Sequence, residues 1–312
     1  MTLPRLLIHG ITFLLLLGGN ASAQETTVPV VDESVDTAAN ITLEAATRPG
    51  PFQVDVIQEK DGLRNGPEYR GATVYYPKGG TKDLGSLVLV PGFMAWESTL
   101  RTWGPYLASH GIVVMTLGTN KPQDVPLLRA EALLDGIETL KAENKRPDSP
   151  LFERMDVDRF AVGGWSMGGG GAQLAAMKDQ SIDAVIALCP WKPAPRFNHE
   201  VPVLFIAGER DGTASTREHS IPHYESMPEQ TDKLLYEIRS GGHWAGNNPR
   251  NARGEVGRVA LAWLKVFLIG DESYRPLIMA QPKSATMYRT NVELIEDVPN
   301  DDSNGTTDPT DG

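Results

Sequence analysis

The segment Gly164-Trp165-Ser166-Met167-Gly168 sets a lone serine between glycines. A serine so placed can attack a carbonyl carbon if a neighbouring base takes its proton. Arg159, Phe160, Ala161 and Val162 read as the end of a buried strand, and residues 172–177 read as a helix packed closely on a sheet. Gly164 and Gly168 keep such a turn free of Cβ clashes, so Ser166 can take a strained backbone with Oγ projecting from the top of the sheet. The next amide, that of Met167, then lies at a helix N-terminus, where it can donate to a developing oxyanion.

A serine hydroxyl is a weak nucleophile at neutral pH, so an imidazole must accept its proton and a carboxylate must orient that imidazole. In strand-turn-helix elbows of this kind, the acid and then the base follow the serine in the chain. His9 lies in the N-terminal apolar segment and His110 precedes the elbow, which leaves His199, His219, His223 and His243. His243 is the candidate base, because Ser240-Gly241-Gly242-His243 is a flexible loop directly after the strand predicted at 233–238. The other three suit ordinary surface roles. Asp211 follows the strand predicted at 201–207 and is the candidate acid, with Glu209 as runner-up or as a surface ion-pair partner of Arg210. Val90-Pro91-Gly92-Phe93 ends another apolar strand and offers the Phe93 amide as second oxyanion donor, with the Phe93 ring beside the substrate.

The elements that must hold these residues alternate along the chain. Strands are predicted at 52–57, 72–76, 87–90 and 112–117, a long helix at 125–143, and then the serine strand and its helix. Strands at 182–188, 201–207 and 233–238, a helical turn at 221–227 and a final helix at 252–268 follow. This alternation implies an α/β fold, a mostly parallel sheet with helices on both faces. Residues 189–200, which join two of the strands, are too few for an inserted lid domain, so an open groove is expected. Phe93, Trp165, Trp191 and Trp244 each adjoin a different loop at the carboxyl edge and are expected to form its apolar face.

The 312-residue chain divides into four expected segments. Residues 1–23 read as a signal peptide, with Arg5, an apolar run over 11–17 and Ala21-Ser22-Ala23 as a small-residue cleavage site; the run is short for a membrane span. Residues 24–50 form a polar, loosely ordered leader, residues 51–290 the catalytic domain, and residues 291–312 an acidic disordered tail with seven acids and no base. Within that tail Asn300, Asp302, Asn304 and Gly305 only faintly echo a calcium loop, lacking its leading Asp and closing Glu. The net charge of −11 speaks against nucleic acid or an anionic membrane as partner. Cys189 is the sole cysteine, so no intrachain disulfide is possible, and its place at the end of an apolar run marks it as a buried small hydrophobe.

The chain resembles the bacterial cutinase-like polyester hydrolases, including the PET-degrading enzymes, within the α/β-hydrolase superfamily. The likeness runs from about residue 71 to residue 267. It is carried by Gly71-Ala72-Thr73-Val74-Tyr75-Tyr76-Pro77, Val90-Pro91-Gly92-Phe93, Trp103-Gly104-Pro105, Leu107-Ala108-Ser109-His110-Gly111, Thr119-Asn120, the Ser166 segment and Pro190-Trp191. The resemblance implies an α/β-hydrolase fold without a lid domain, Ser166 as nucleophile, Asp211 and His243 as its relay, and Phe93 and Met167 as oxyanion donors. It also implies Trp191 as a wall against an acyl or aromatic unit. Such proteins commonly carry disulfides, one beside the acid and base loops, where this chain has Gly208 and Ala245.

Residues and resemblance together predict a secreted monomeric serine esterase, free of metal and organic cofactor, acting on polymeric or small esters. An esterase of small soluble esters or lactones, like a dienelactone hydrolase with serine in place of cysteine, is a second reading. A secreted binding module on an inactivated hydrolase fold is a third.

Overall fold

In the computed structural model of the chain, residues 42–294 are described. Nine strands form one sheet in the order β1-β2-β4-β3-β5-β6-β7-β8-β9. They are β1 (Val54–Gln58), β2 (Tyr69–Pro77), β3 (Leu84–Val90), β4 (Val113–Thr119), β5 (Met155–Trp165), β6 (Ala184–Leu188), β7 (Val203–Gly208), β8 (Lys233–Ile238) and β9 (Ala285–Thr290). The six strands from β4 to β8 pair in parallel. β1, β2 and β9 add antiparallel edges.

The helices α1 (Trp103–Ser109), α2 (Pro126–Lys145), α3 (Met167–Lys178), α4 (Ser220–Ser226), α5 (Glu255–Leu264) and α6 (Arg275–Met279) cover both faces. The central strands are continuous apolar runs because both of their faces are buried. Alternate residues serve opposite cores: Leu87, Leu89, Ile186, Leu204 and Ile206 pack with Trp103, Leu107 and Trp263 on one side. On the other, Val88, Val90, Val185, Val203 and Phe205 pack with Leu133, Ile137, Ala172 and Ala176. Fully burying each Val, Leu, Ile or Phe side chain among them contributes about 1.5–3 kcal/mol. The architecture is therefore the expected α/β-hydrolase one, a mostly parallel sheet with helices on both faces.

Some boundaries differ from expectation. The helix predicted over 252–268 is broken: Ala252, Arg253 and Gly254 lie in left-handed backbone at φ 50°, 58° and 89°, α5 begins at Glu255, and Lys265–Ile269 widens into a π turn. Strand β9 and helix α6 were not expected, because β9 is only half buried and shows no clean alternation. The described part of the leader, 42–50, is fastened to α1 rather than loose. Ala46 is fully buried, Tyr106 Oη donates to its carbonyl at 2.5 Å, and Gly50 N donates to Ser109 Oγ at 2.7 Å. At the other end Asn291 and Val292 belong to the folded body. Lys233 N donates to Asn291 Oδ1 at 2.8 Å, and Val292 is buried. Residues 1–23, expected to be a signal peptide, and residues 295–312, which hold most of the tail expected to be disordered and the calcium-like fragment near Asn300, lie outside the described residues. No described helix is long and apolar enough to cross a membrane.

Candidate active site

Ser166 stands between β5 and α3 with φ 58° and ψ −121°, a conformation that a residue with a Cβ adopts only when its surroundings enforce it. Its carbonyl accepts from the amides of Gly169, Gly170 and Trp191 at 2.9, 3.2 and 2.8 Å, and its own amide donates to Leu188 O at 2.9 Å. The flanking glycines are required by contact. A Cβ on Gly164 would lie 2.5 Å from the Gly168 carbonyl carbon, and one on Gly168 would lie 2.3 Å from Val90 O.

Asp211 lies in the turn after β7 and His243 in the loop after β8, so two parallel strands deliver both to the edge where β5 ends. His243 Nδ1 is 2.8 Å from Asp211 Oδ2, and His243 Nε2 is 2.9 Å from Ser166 Oγ. A carboxylate can only accept, so the ring proton sits on Nδ1, Nε2 is the free base, and the serine hydroxyl donates to it. Asp211 is buried, and Oδ1 accepts from the Thr213 and Ala214 amides at 2.9 and 2.8 Å. Burial works to raise the Asp211 pKa, but the His243 hydrogen bond and these amides together outweigh it and hold the carboxyl below its ordinary value.

A Cβ on Gly92 would stand 2.7 Å from Ser166 Cβ, so the Gly92-Phe93 backbone passes directly against the serine. Among the described residues, neither the Phe93 nor the Met167 amide donates to a protein acceptor. Neither amide is thus occupied within the protein, as a donor to developing negative charge would need. The Phe93 loop is braced by Arg129, fully buried in α2, whose guanidinium donates to Pro91 O at 2.8 Å and Pro122 O at 3.0 Å. Burial pushes the Arg129 pKa down to about 10. This brace went unread in the sequence, although Arg129 shares one helical face with Leu133, Ile137 and Leu140, and a cation on an apolar stripe was its signal.

The four aromatic residues take different places. Phe93 and Trp244 are half exposed, and Trp191 is partly exposed, with its amide on the Ser166 carbonyl and its ring 5.9 Å from that of His219. Trp165 departs from expectation: it is 4% exposed, stacks under Trp244 at 4.2 Å and donates its indole N–H to His243 O at 2.7 Å. It is a support of the histidine loop rather than a wall of the groove.

That loop has further supports which the sequence did not reveal. Asn251 Nδ2 donates to Trp244 O at 3.0 Å and to Ala245 O at 2.9 Å, Arg210 N donates to Gly241 O at 2.7 Å, and Glu209 accepts from Ser240 N at 2.6 Å. Glu209 is therefore neither the acid nor an ion-pair partner of Arg210. His199, His219 and His223, expected at the surface, are all buried. His223 reaches Gln173 and Lys192, His219 lies against Trp191, His199 bonds Val201 O, and none of the three bonds Ser166 Oγ as His243 does. Cys189 is buried as expected, and burial, with the Asp211 charge, pushes its thiol up to about 12. No group of three or more metal-ligating side chains occurs among the described residues.

Comparison with known proteins gives the chain its family. The chain is 32% identical over 241 residues to "Cutinase est2" of Thermobifida alba, an alignment covering 77% of each protein. It is 34% identical over 231 residues to "Bis(hydroxyethyl) terephthalate hydrolase" of Streptomyces coelicolor, covering 72% of this chain and 71% of that one. It is 32% identical over 242 residues to "Cutinase 1" of Thermobifida cellulosilytica, covering 77% and 88%. Residues 32–295 match the PETase family, described as PET hydrolase-like, and the chain belongs to that family.

Proposed function

We propose that this protein is a secreted serine ester hydrolase that cleaves polyester or related carboxylic ester bonds through an acyl-enzyme. The continuous hydrogen-bonded relay Asp211–His243–Ser166, at 2.8 and 2.9 Å, carries the reading. As Ser166 Oγ attacks the ester carbonyl, its proton passes to His243 Nε2. The carbonyl oxygen gains the electron pair and is held by the Phe93 and Met167 amides. Collapse expels the alcohol, which takes the proton from His243 and leaves the acyl group on Ser166. Water, deprotonated by the same imidazole, then releases the acid and restores the hydroxyl. Asp211 holds the imidazolium that forms in each half-reaction. Trp191 and Phe93 stand beside the serine as walls for the acyl unit.

The substrate class follows from family membership and from the relatives named as cutinases and as a terephthalate ester hydrolase. Secretion follows from the charged, apolar and small-residue order of residues 1–23. The test is a substrate panel on the parent protein and Ser166→Ala, pairing a short p-nitrophenyl ester with weight loss of polyester film. Ser166→Ala should stay folded and lose turnover on both by on the order of 10⁴-fold or more. Substantial residual hydrolysis would remove the assignment. Turnover of the soluble ester alone would favour the small-ester esterase, and failure of Ser166 to react with an organophosphonate would favour a binding module.

A further inference from the structure

Apart from the serine cleft, a hollow of about 390 Å³ opens between residues 47–54, α1 and the Pro249-Arg250 segment. None of Ser166, Asp211, His243, Phe93, Met167 and Trp191 lines it. Its size falls within the roughly 300–1,000 Å³ of small-molecule sites. Most of its wall is apolar, made by Pro49, Phe52 and Val54 before and in β1, Pro105 and Tyr106 of α1, and Pro249.

Hydrogen bonds hold each wall in place. Gly50 N donates to Ser109 Oγ at 2.7 Å, Phe52 N donates to Ser109 O at 3.0 Å, and Tyr106 Oη donates to Ala46 O at 2.5 Å. Gly257 N donates to Pro249 O at 2.9 Å, and a Cβ on Gly257 would lie 2.9 Å from both Pro249 Cβ and Tyr106 Cζ, so these walls close up over a glycine. The Tyr106 and Ser109 hydroxyls are thereby engaged within the protein, which leaves an occupant apolar surface over most of the hollow.

One charge borders that surface. Arg250 is the only charged residue lining the hollow, is exposed, and takes part in no ion pair among the described residues. Its backbone is fixed, since its amide donates to Asn248 Oδ1 at 2.9 Å and its carbonyl accepts from Gly254 N at 3.1 Å. Thr102, also in the wall, makes no capping bond at the start of α1 and so keeps its hydroxyl for an occupant. A second hollow of about 560 Å³, which shares Thr47, differs in holding both signs, Glu44 and Glu255 with Arg253, Arg258 and Lys283. An apolar wall with a single unpaired guanidinium selects a molecule that has an apolar body and one negative charge, and a carboxylate matches the guanidinium fork.

We infer that this hollow is a binding site for a carboxylic acid with an apolar body, aromatic or aliphatic, held as its carboxylate by Arg250. That such acids are this protein's own products rests on the reading of Ser166 as the nucleophile of an ester hydrolase, because cleavage of an apolar ester releases that class of acid. The net charge of −11 repels anions at long range, so recognition depends on contact with Arg250 and on burial of the apolar body.

The test is calorimetric titration of the whole protein with benzoate and with octanoate, after Ser166 has been capped by an organophosphonate to close the serine cleft. The capped protein should bind these acids with a Kd on the order of 1 mM. Arg250→Gln should weaken binding about tenfold, and Arg250→Glu should weaken it further; both changes lie at an exposed position. Benzamide, which lacks the charge, and acetate, which lacks the apolar body, should each bind about tenfold or more weakly than benzoate. Binding of either acid with this dependence on Arg250 supports the site, and the tighter of the two identifies an aromatic or an aliphatic source. No saturable binding of either acid, equal affinity in the Arg250 variants, or binding to the uncapped protein alone would overturn it. Failure of the organophosphonate to react with Ser166 would strike the hydrolase reading instead, and titration of the uncapped Arg250 variants would still decide the site.

Discussion

At the scale of single residues, the site joins a strained serine to a carboxylate held in its charged form. The Ser166 backbone costs about 1–3 kcal/mol by its conformation, and three amides on its carbonyl fix it there. Asp211 is buried and would favour protonation by desolvation, yet it accepts three hydrogen bonds and stays anionic below the ordinary carboxylate range. Its charge dictates which nitrogen of His243 carries the proton. Asp211→Asn can offer an amide N–H to Nδ1 and so stabilise the wrong tautomer. It is expected to lower kcat for a short p-nitrophenyl ester by about 10³–10⁴-fold while the melting temperature changes little by comparison. A variant within tenfold of the parent would show that His243 does not depend on Asp211.

At the scale of elements, the base is positioned by a loop that has no covalent staple. Where the proteins it resembles commonly carry a disulfide beside the acid and base loops, this chain packs backbone on backbone. A Cβ on Gly208 would lie 2.5 Å from both Gly241 O and Gly242 O. Trp165, Asn251 and the Arg210 amide then tie the loop down by hydrogen bonds. Gly208→Ala should therefore push the loop off the end of β7, destabilise the fold by roughly 1–3 kcal/mol and lower kcat on a soluble ester. Paired melting and kinetic measurements check it, and a neutral variant would show that the loop yields freely. The catalytic strands were legible in the sequence because their apolar runs end at turn residues. The Asn251 tether was not, since it depends on the left-handed backbone at Ala252 and Arg253 that breaks the expected final helix.

At the scale of the whole molecule, buried neutral histidines make stability depend on pH. His223 is fully buried, donates Nε2–H to Lys192 O at 2.9 Å and accepts from Gln173 Nε2 at 3.0 Å. Desolvation holds its pKa at about 3, and holds that of buried His199 at about 4, against an ordinary value of 6.5. Between 6.5 and these values the unfolded chain binds protons that the folded chain does not. Their contribution is thus fully present above pH 6.5 and is lost as the pH falls toward 4. At about 1.4 kcal/mol per pH unit for each group, the loss approaches about 3 kcal/mol per histidine by pH 4 as an upper bound. Asp211 adds to the same slope lower down, its contribution present above the ordinary carboxylate range and lost as the pH falls through its depressed value. Urea midpoints at pH 7, 5.5 and 4 should fall, and His223→Phe should make the decline between 6.5 and 4 shallower. An unchanged slope in that variant would sink the assignment.

The sequence by itself determined the alternation of strands and helices that makes a mostly parallel sheet, and it singled out the residues proposed for the chemistry. A serine between glycines, followed by an acid and a histidine each just past an apolar strand, leaves few other arrangements once the strands run parallel, because parallel strands carry those loops to one edge. It did not determine which polar and aromatic side chains are buried. His199, His219 and His223 read as surface residues, and Trp165 as a wall of the groove, because polarity in the chain does not reveal which groups find partners at long range. Only the tertiary structure decided that the Trp165 indole would hold the His243 carbonyl, that Arg129 would brace the Phe93 loop, and that β9 would close the sheet. Each depends on segments far apart in sequence meeting in space, and no local pattern of residue types encodes that meeting.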